Sequence, residues 1–117
     1  RRGLHMNRYS PGYLITTDSE VYRCVGQRMV VVSVFLANTE TSAARQAFIQ
    51  HVPADESPDD QYSLVHNINI SAKGTTTFTA PIILEPGDAI YARASVVNKV
   101  VATVYIVTFD EFLRGRF

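Results

Sequence analysis

The run "RMVVVSVFLAN", residues 28–38, decides the fold. Its β-branched and aromatic side chains suit a pleated strand, and neither glycine nor proline interrupts them. At a period of two, Val30, Val32, Val34 and Leu36 share one face, and Val31, Ser33, Phe35 and Ala37 share the other. Both faces are apolar, which predicts a central strand covered on both sides.

Similar short runs flank it. Strands are read at "YLITT" (13–17), "EVYRCV" (20–25), "AARQAFIQHV" (43–52), "YSLVHNINIS" (62–71), "TTTFTA" (75–80), "DAIYARAS" (88–95) and "VVATVYIVTF" (100–109). Residues 43–52 also admit a helix, since Ala43, Ala44, Gln46 and Ala47 favour one. Phe48, Ile49 and Val52, with Pro53 behind them, tip the reading to strand. The last run also has two apolar faces, Val100, Ala102, Val104 and Ile106 against Val101, Thr103, Tyr105 and Val107. Only 88–95 alternates cleanly, with Ile90, Ala92 and Ala94 inward and Tyr91, Arg93 and Ser95 outward.

About eight strands at this spacing predict an all-β fold, an antiparallel β-sandwich of jelly-roll type. The predicted organisation is an extended N-terminal arm (1–12), the sandwich (13–109) and a C-terminal tail (110–117), the tail having some helical character. A two-layer sandwich covers one face of each sheet. Strands apolar on both faces therefore predict an outer surface that meets another copy or another protein.

The turn "EPGD", 85–88, explains how one strand stops and the next begins. Pro86 presets its own φ, Gly87 accepts a positive φ at the third turn position, and Asp88 bonds a nearby backbone N–H. Pro86, Gly87 and Asp88 are read as a structural corner.

Composition narrows the function classes. A chain of 117 residues suits one domain, and 11 basic against 11 acidic residues leave no net charge to draw it to nucleic acid or anionic lipid. No apolar run reaches the length of a membrane span. Cys24, the single cysteine, cannot form an internal disulfide and reads as a buried structural thiol. Charge is segregated. Arg1, Arg2 and Arg8 lie at one end, Arg114 and Arg116 at the other, and Asp55, Glu56, Asp59 and Asp60 in a central loop, a pattern that suits contacts between copies.

Catalytic constellations are weak. His5, His51 and His66 lack the spacing of a local metal pair. "DESPDD" lacks the spacing and glycine of a calcium loop. Ser63, His66 and Asp88 make a triad only on paper, without a nucleophile elbow. No phosphate-binding glycine loop is present. Tyr91 with Arg93, and Tyr22 with Arg23, resemble base-stacking pairs but lie in no basic stripe, so interface aromatics are the better reading. No catalytic residue, cofactor or metal is expected.

One resemblance covers about 29–108. The features are Ala37-Asn38 ending a strand, Val52-Pro53 in a loop, Leu64, a Lys73-Gly74 turn, the corner from Leu84 to Ile90, and Ala92 to Ser95. Together they resemble small virion proteins of tailed bacteriophages. The resemblance implies a non-enzymatic head decoration or cement protein located in the virion. Its partners would be other copies of itself and the major capsid protein, or neck or tail proteins in the alternative role. The expected interface residues are Arg1, Arg2, Arg8, Tyr9, Phe35, Tyr91, Arg93, Tyr105, Phe109, Phe112, Arg114, Arg116 and Phe117. The "PGD" corner is also similar to cupins, but the His-x-His that should precede it is missing. A carbohydrate-binding module with Tyr22, Tyr62, Tyr91 or Tyr105 as stacking platforms is the alternative from another class.

Overall fold

A computed structural model describes residues 6–79 and 81–115. The strongest run forms β3 (Met29–Asn38), at the centre of a sheet. On one side β3 pairs with β9 (Val100–Thr108), which in turn pairs with β1 (Asn7–Tyr13). On its other side β3 pairs with β6 (Thr75–Phe78) and then with β7 (Ile82–Leu84). The facing sheet has the order β2 (Ser19–Arg23), β8 (Ala89–Ala94), β4 (Arg45–Val52), β5 (Ser63–Ile70).

The topology follows from one long antiparallel ladder. β4 pairs with β5, β3 with β6 and β7, β2 with β8, and β1 with β9. The loop between β4 and β5 is the tip of that ladder. Rolling it up adds the β3–β9 and β4–β8 pairs and splits the strands between two sheets. This is the jelly-roll form of the antiparallel sandwich.

Between the sheets lies a single apolar core. Val31, Val34, Leu36, Val104 and Ile106 meet Ile49, Ile70, Ile90 and Ala92 from the facing sheet. Leu14 fills the same core where the chain crosses between sheets: its N–H donates to Val100 O (2.7 Å), and Ile15 O accepts from Ala94 N–H (2.9 Å).

Four readings from the sequence are corrected. Among the described residues nine strands form rather than about eight, because Ile82–Leu84, beyond the predicted run 75–80 and Pro81, adds a short strand of its own on β3. Of "YLITT" only Tyr13 is in a strand, since 14–18 carries the chain from one sheet to the other. The described part of the expected arm pairs with β9 from Asn7 onward. Edge strands tolerate Pro11 and need no apolar alternation, which is why the sequence hid this one. Finally, Val32 is the extra residue of a β-bulge, because Val31 opposes Ile106 while Ser33 opposes Tyr105. The bulge resets the phase, so Val31, Val34 and Leu36 all point into the core and strict alternation fails.

The chain past β9 turns into α1 (Phe109–Leu113), with Thr108 Oγ1 accepting from Glu111 N–H (3.1 Å) as its N-cap. It packs on β3 and β9 of its own sheet. Arg1, Arg2, Arg116 and Phe117 lie outside the described residues.

Candidate interaction surfaces

The β3 sheet leaves large apolar side chains on its outer face, among threonines and Arg8. Phe35 lies in register with Thr103 and Thr77, Ala37 with Val101 and Thr75, and Arg8 with Tyr105. The Phe35 and Tyr105 rings meet edge to face, with centroids 5.6 Å apart. Phe35 is 37% exposed, Tyr13 51% and Ile83 45%, although all three belong to paired strands. Val30 and Val107, paired on the same side, are fully buried at the end where α1 packs. There the Arg28 guanidinium lies 4.8 Å over the Phe109 ring. The helix thus covers one end of the face and leaves the Phe35–Tyr105 region open.

The outer face of the β4 sheet has a different character. Arg93 stacks on Phe48 (4.0 Å to the ring centroid) and pairs with Asp18 (2.9 Å) and Asp60 (3.6 Å). Phe48 also meets His66 edge-on. Arg23 pairs with Glu20 (2.8 Å) and donates to Tyr91 Oη (3.1 Å) and Gly87 O (2.8 Å). These groups satisfy one another's charge and hydrogen bonds across the sheet face.

The expected interface residues are therefore dispersed. Arg8, Phe35 and Tyr105 share one outer face, whereas Tyr91 and Arg93 lie on the opposite one. Tyr9 turns to the seam between sheets, its ring 4.7 Å from that of Tyr22. Burial, with Cys24 and Tyr9 nearby, pushes the Tyr22 hydroxyl up to about 12. Phe109 and Phe112 belong to α1, and Arg114 pairs with Asp110 (3.1 Å). The four tyrosines considered as sugar platforms share no face either. Tyr22 lines the seam, Tyr62 donates to Glu56 in the loop (2.9 Å), and Tyr91 and Tyr105 lie on opposite outer faces.

At the 85–88 corner, the Asp88 N–H donates to Glu85 O (2.9 Å), and Gly87 has φ of 97°. The Asp88 carboxylate accepts from Ala54 N–H (3.1 Å) and Glu85 N–H (3.0 Å), and lies 3.1 Å from His51 Nε2. It thereby ties the start of β8 to the end of β4. Burial alone would raise this carboxyl, but the bonds from His51, Glu85 and Ala54 outweigh it and hold Asp88 below its ordinary value. A depressed folded-state value stabilises the fold above the ordinary value of 3.8, and this contribution is lost as pH falls through the folded-state value. Asp88→Asn is expected to lower stability at neutral pH, and the gap to the parent should shrink in acid. Urea midpoints across a pH series check this; a gap constant down to the acid limit contradicts it.

The paper triad does not assemble. Ser63 Oγ lies 3.3 Å from His66 Nδ1, but Asp88 is engaged with His51. Among the described residues, no group of three or more His, Cys, Asp or Glu side chains is placed to hold a metal ion. Cys24 is 1% exposed and donates to Gln27 O (3.0 Å). Burial, with Asp88 and Glu85 adding to it, raises its thiol above the usual range despite a backbone bond at Met29.

One feature was not legible in the sequence. Where β5 and the broken β6–β7 edge face each other, the sandwich is open, and a groove of about 190 Å³ runs between the sheets. It is lined by Val34, Ile49, Leu64, Val65, Phe78 and Ile82. On the opposite side, Tyr9 and Tyr22 close the seam.

No protein-family model matches the chain, and no curated protein matches its sequence. A solved structure similar in fold comes from the acidic stable capsid of Helicobacter pylori bacteriophage KHP30. The TM-score is 0.61 at 11% identity, over 91% of this chain and 90% of that one. At this identity the likeness is one of fold, and it extends over nearly the whole of both chains.

Proposed function

We propose that this chain is a non-enzymatic structural protein of a phage virion, a capsid decoration or cement protein that bridges neighbouring subunits. The observation that carries this reading is the aromatic patch around Phe35, Tyr105 and Tyr13 on the outer face of the β3 sheet. One outer face pairs its charged groups among themselves, while the other leaves Phe35 and Tyr13 exposed beside the half-buried Tyr105 and Val101. Contiguous apolar surface of this kind marks an interaction site. The similarity in fold to a chain from a phage capsid supports the virion as its setting. Other copies and other virion proteins would cover the face. A stable contact buries about 800 Å² on each partner, so the flanking loops would join the face in the interface.

The test is electron microscopy of particles made with and without the gene. Full tails on fragile heads are expected without it, and missing tails would instead place the protein in the neck or tail. Phe35→Ser with Tyr105→Ser is expected to abolish addition of the purified protein to depleted heads while leaving a cooperative thermal transition. Undiminished addition by that variant would remove the β3 face from the interface.

A further inference from the structure

We propose that residues 1–6 of one copy dock in the side groove of the next, with Leu4 in the groove and Arg1 and Arg2 against the acidic loop. The groove has the chemistry for the first part. All six of its lining side chains are apolar, so it offers nothing to orient a polar group. Its volume of about 190 Å³ suits one branched aliphatic side chain, given that an apolar cavity of about 150 Å³ accommodates benzene.

Charge complementarity supplies the second part. The loop that leads into β5 carries Asp55, Glu56, Asp59 and Asp60. Among the described residues, the only cation within ion-pair distance of these carboxylates is Arg93, on Asp60 (3.6 Å). Glu56 accepts from Tyr62 and Asp59 accepts from the Gln61 N–H, neither of which neutralises charge. Tyr62 and Ser63 connect this loop directly to Leu64 on the groove wall. The sequence "RRGLHM" brings two arginines, one leucine two residues further on, and no carboxylate.

Register makes the contact intermolecular. Asn7 is paired with Ile106, Ile106 with Val31, and Val31 with Ile82. Asn7 and the groove residue Ile82 therefore lie in one row at opposite edges of the sheet, about 14 Å apart at three strand spacings. Leu4, three residues before Asn7, reaches at most about 10 Å from it. The strands β9 and β3 block the direct line and any path round the sheet is longer, so the groove lies beyond the reach of Leu4 of the same chain. Arm and socket on opposite edges give a head-to-tail contact, which propagates into a ring or a filament. This contact stands apart from the virion reading and can fail while that reading holds.

Disulfide trapping tests it. Cys24 is buried and does not compete. L4C/L64C, oxidised and run without reductant, is expected to give a ladder of dimers, trimers and larger species. An equimolar mixture of L4C and L64C single variants should stop at the dimer, and L4C/F35C, which probes the β3 face, should give no ladder. A crosslink confined within the monomer, no product from the mixture, or an equal ladder from L4C/F35C would each overturn the proposal. Melting curves of the uncrosslinked variants establish that each is folded.

Discussion

Replacing Gly87 with alanine is expected to destabilise the protein by about 2–5 kcal/mol, combining the strain of a positive φ in a residue with a side chain and the cost of overpacking. Gly87 holds a φ of 97° at the Glu85–Asp88 turn. A Cβ there would stand 2.6 Å from Ala54 Cβ. Ala54 cannot retreat cheaply, because its N–H donates to Asp88 Oδ1 (3.1 Å). Nor can the turn back away, since Gly87 N–H donates to Cys24 O (2.8 Å) and Gly87 O accepts from Arg23 (2.8 Å). The double variant Ala54→Gly/Gly87→Ala removes the clash and keeps the φ strain, so it should recover only part of the loss. Urea unfolding with an unchanged m-value measures both. A loss within about 0.5 kcal/mol, the range of an ordinary surface change, would mean that the corner is not held as tightly as these bonds imply.

The strands were legible where β-branched residues run nearly unbroken, as in β3 and β9. They were hidden where burial does not shape the sequence. β1 carries "NRYSPGY" and is exposed along nearly all its length, so no hydrophobic period marks it. The bulge at Val32 was invisible for the opposite reason: with valine at 30, 31, 32 and 34, either phase of the alternation looks equally apolar. The surplus of apolar surface was legible in Phe35 and Tyr105, because it needs only a count of faces. The groove was not, since it depends on which strands become edges and on the break between Phe78 and Ile82. Tyr91 and Arg93 show the complementary limit. Their outward direction follows from alternation, but the partners that occupy them, Arg23 and Asp18, come from β2 and the loop before it.

The bulge makes two neighbouring strands respond oppositely to the loss of one residue. Deleting Val32 from β3 is expected to leave a folded protein with a cooperative transition. Val31 and Ser33 already oppose consecutive residues of β9, Ile106 and Tyr105, so removing the residue between them restores a regular ladder. Val31, Val34 and Leu36 keep their core positions. Deleting Thr103 from β9 is expected to abolish the fold. β9 pairs along β3 without an extra residue of its own, so the deletion inverts one half of the strand. Val104 and Ile106 would turn outward while Tyr105 and Val107 turned into the core. Losing two buried aliphatic side chains costs about 3–6 kcal/mol, and forcing an unpartnered tyrosine hydroxyl inward adds about 1–3 kcal/mol. That sum is comparable with the whole stability of a domain this size, about 5–15 kcal/mol. Circular dichroism and thermal melts of the two deletion variants separate the cases. A folded Thr103 deletion, or an unfolded Val32 deletion, would show that the phase of the core is not set by the bulge.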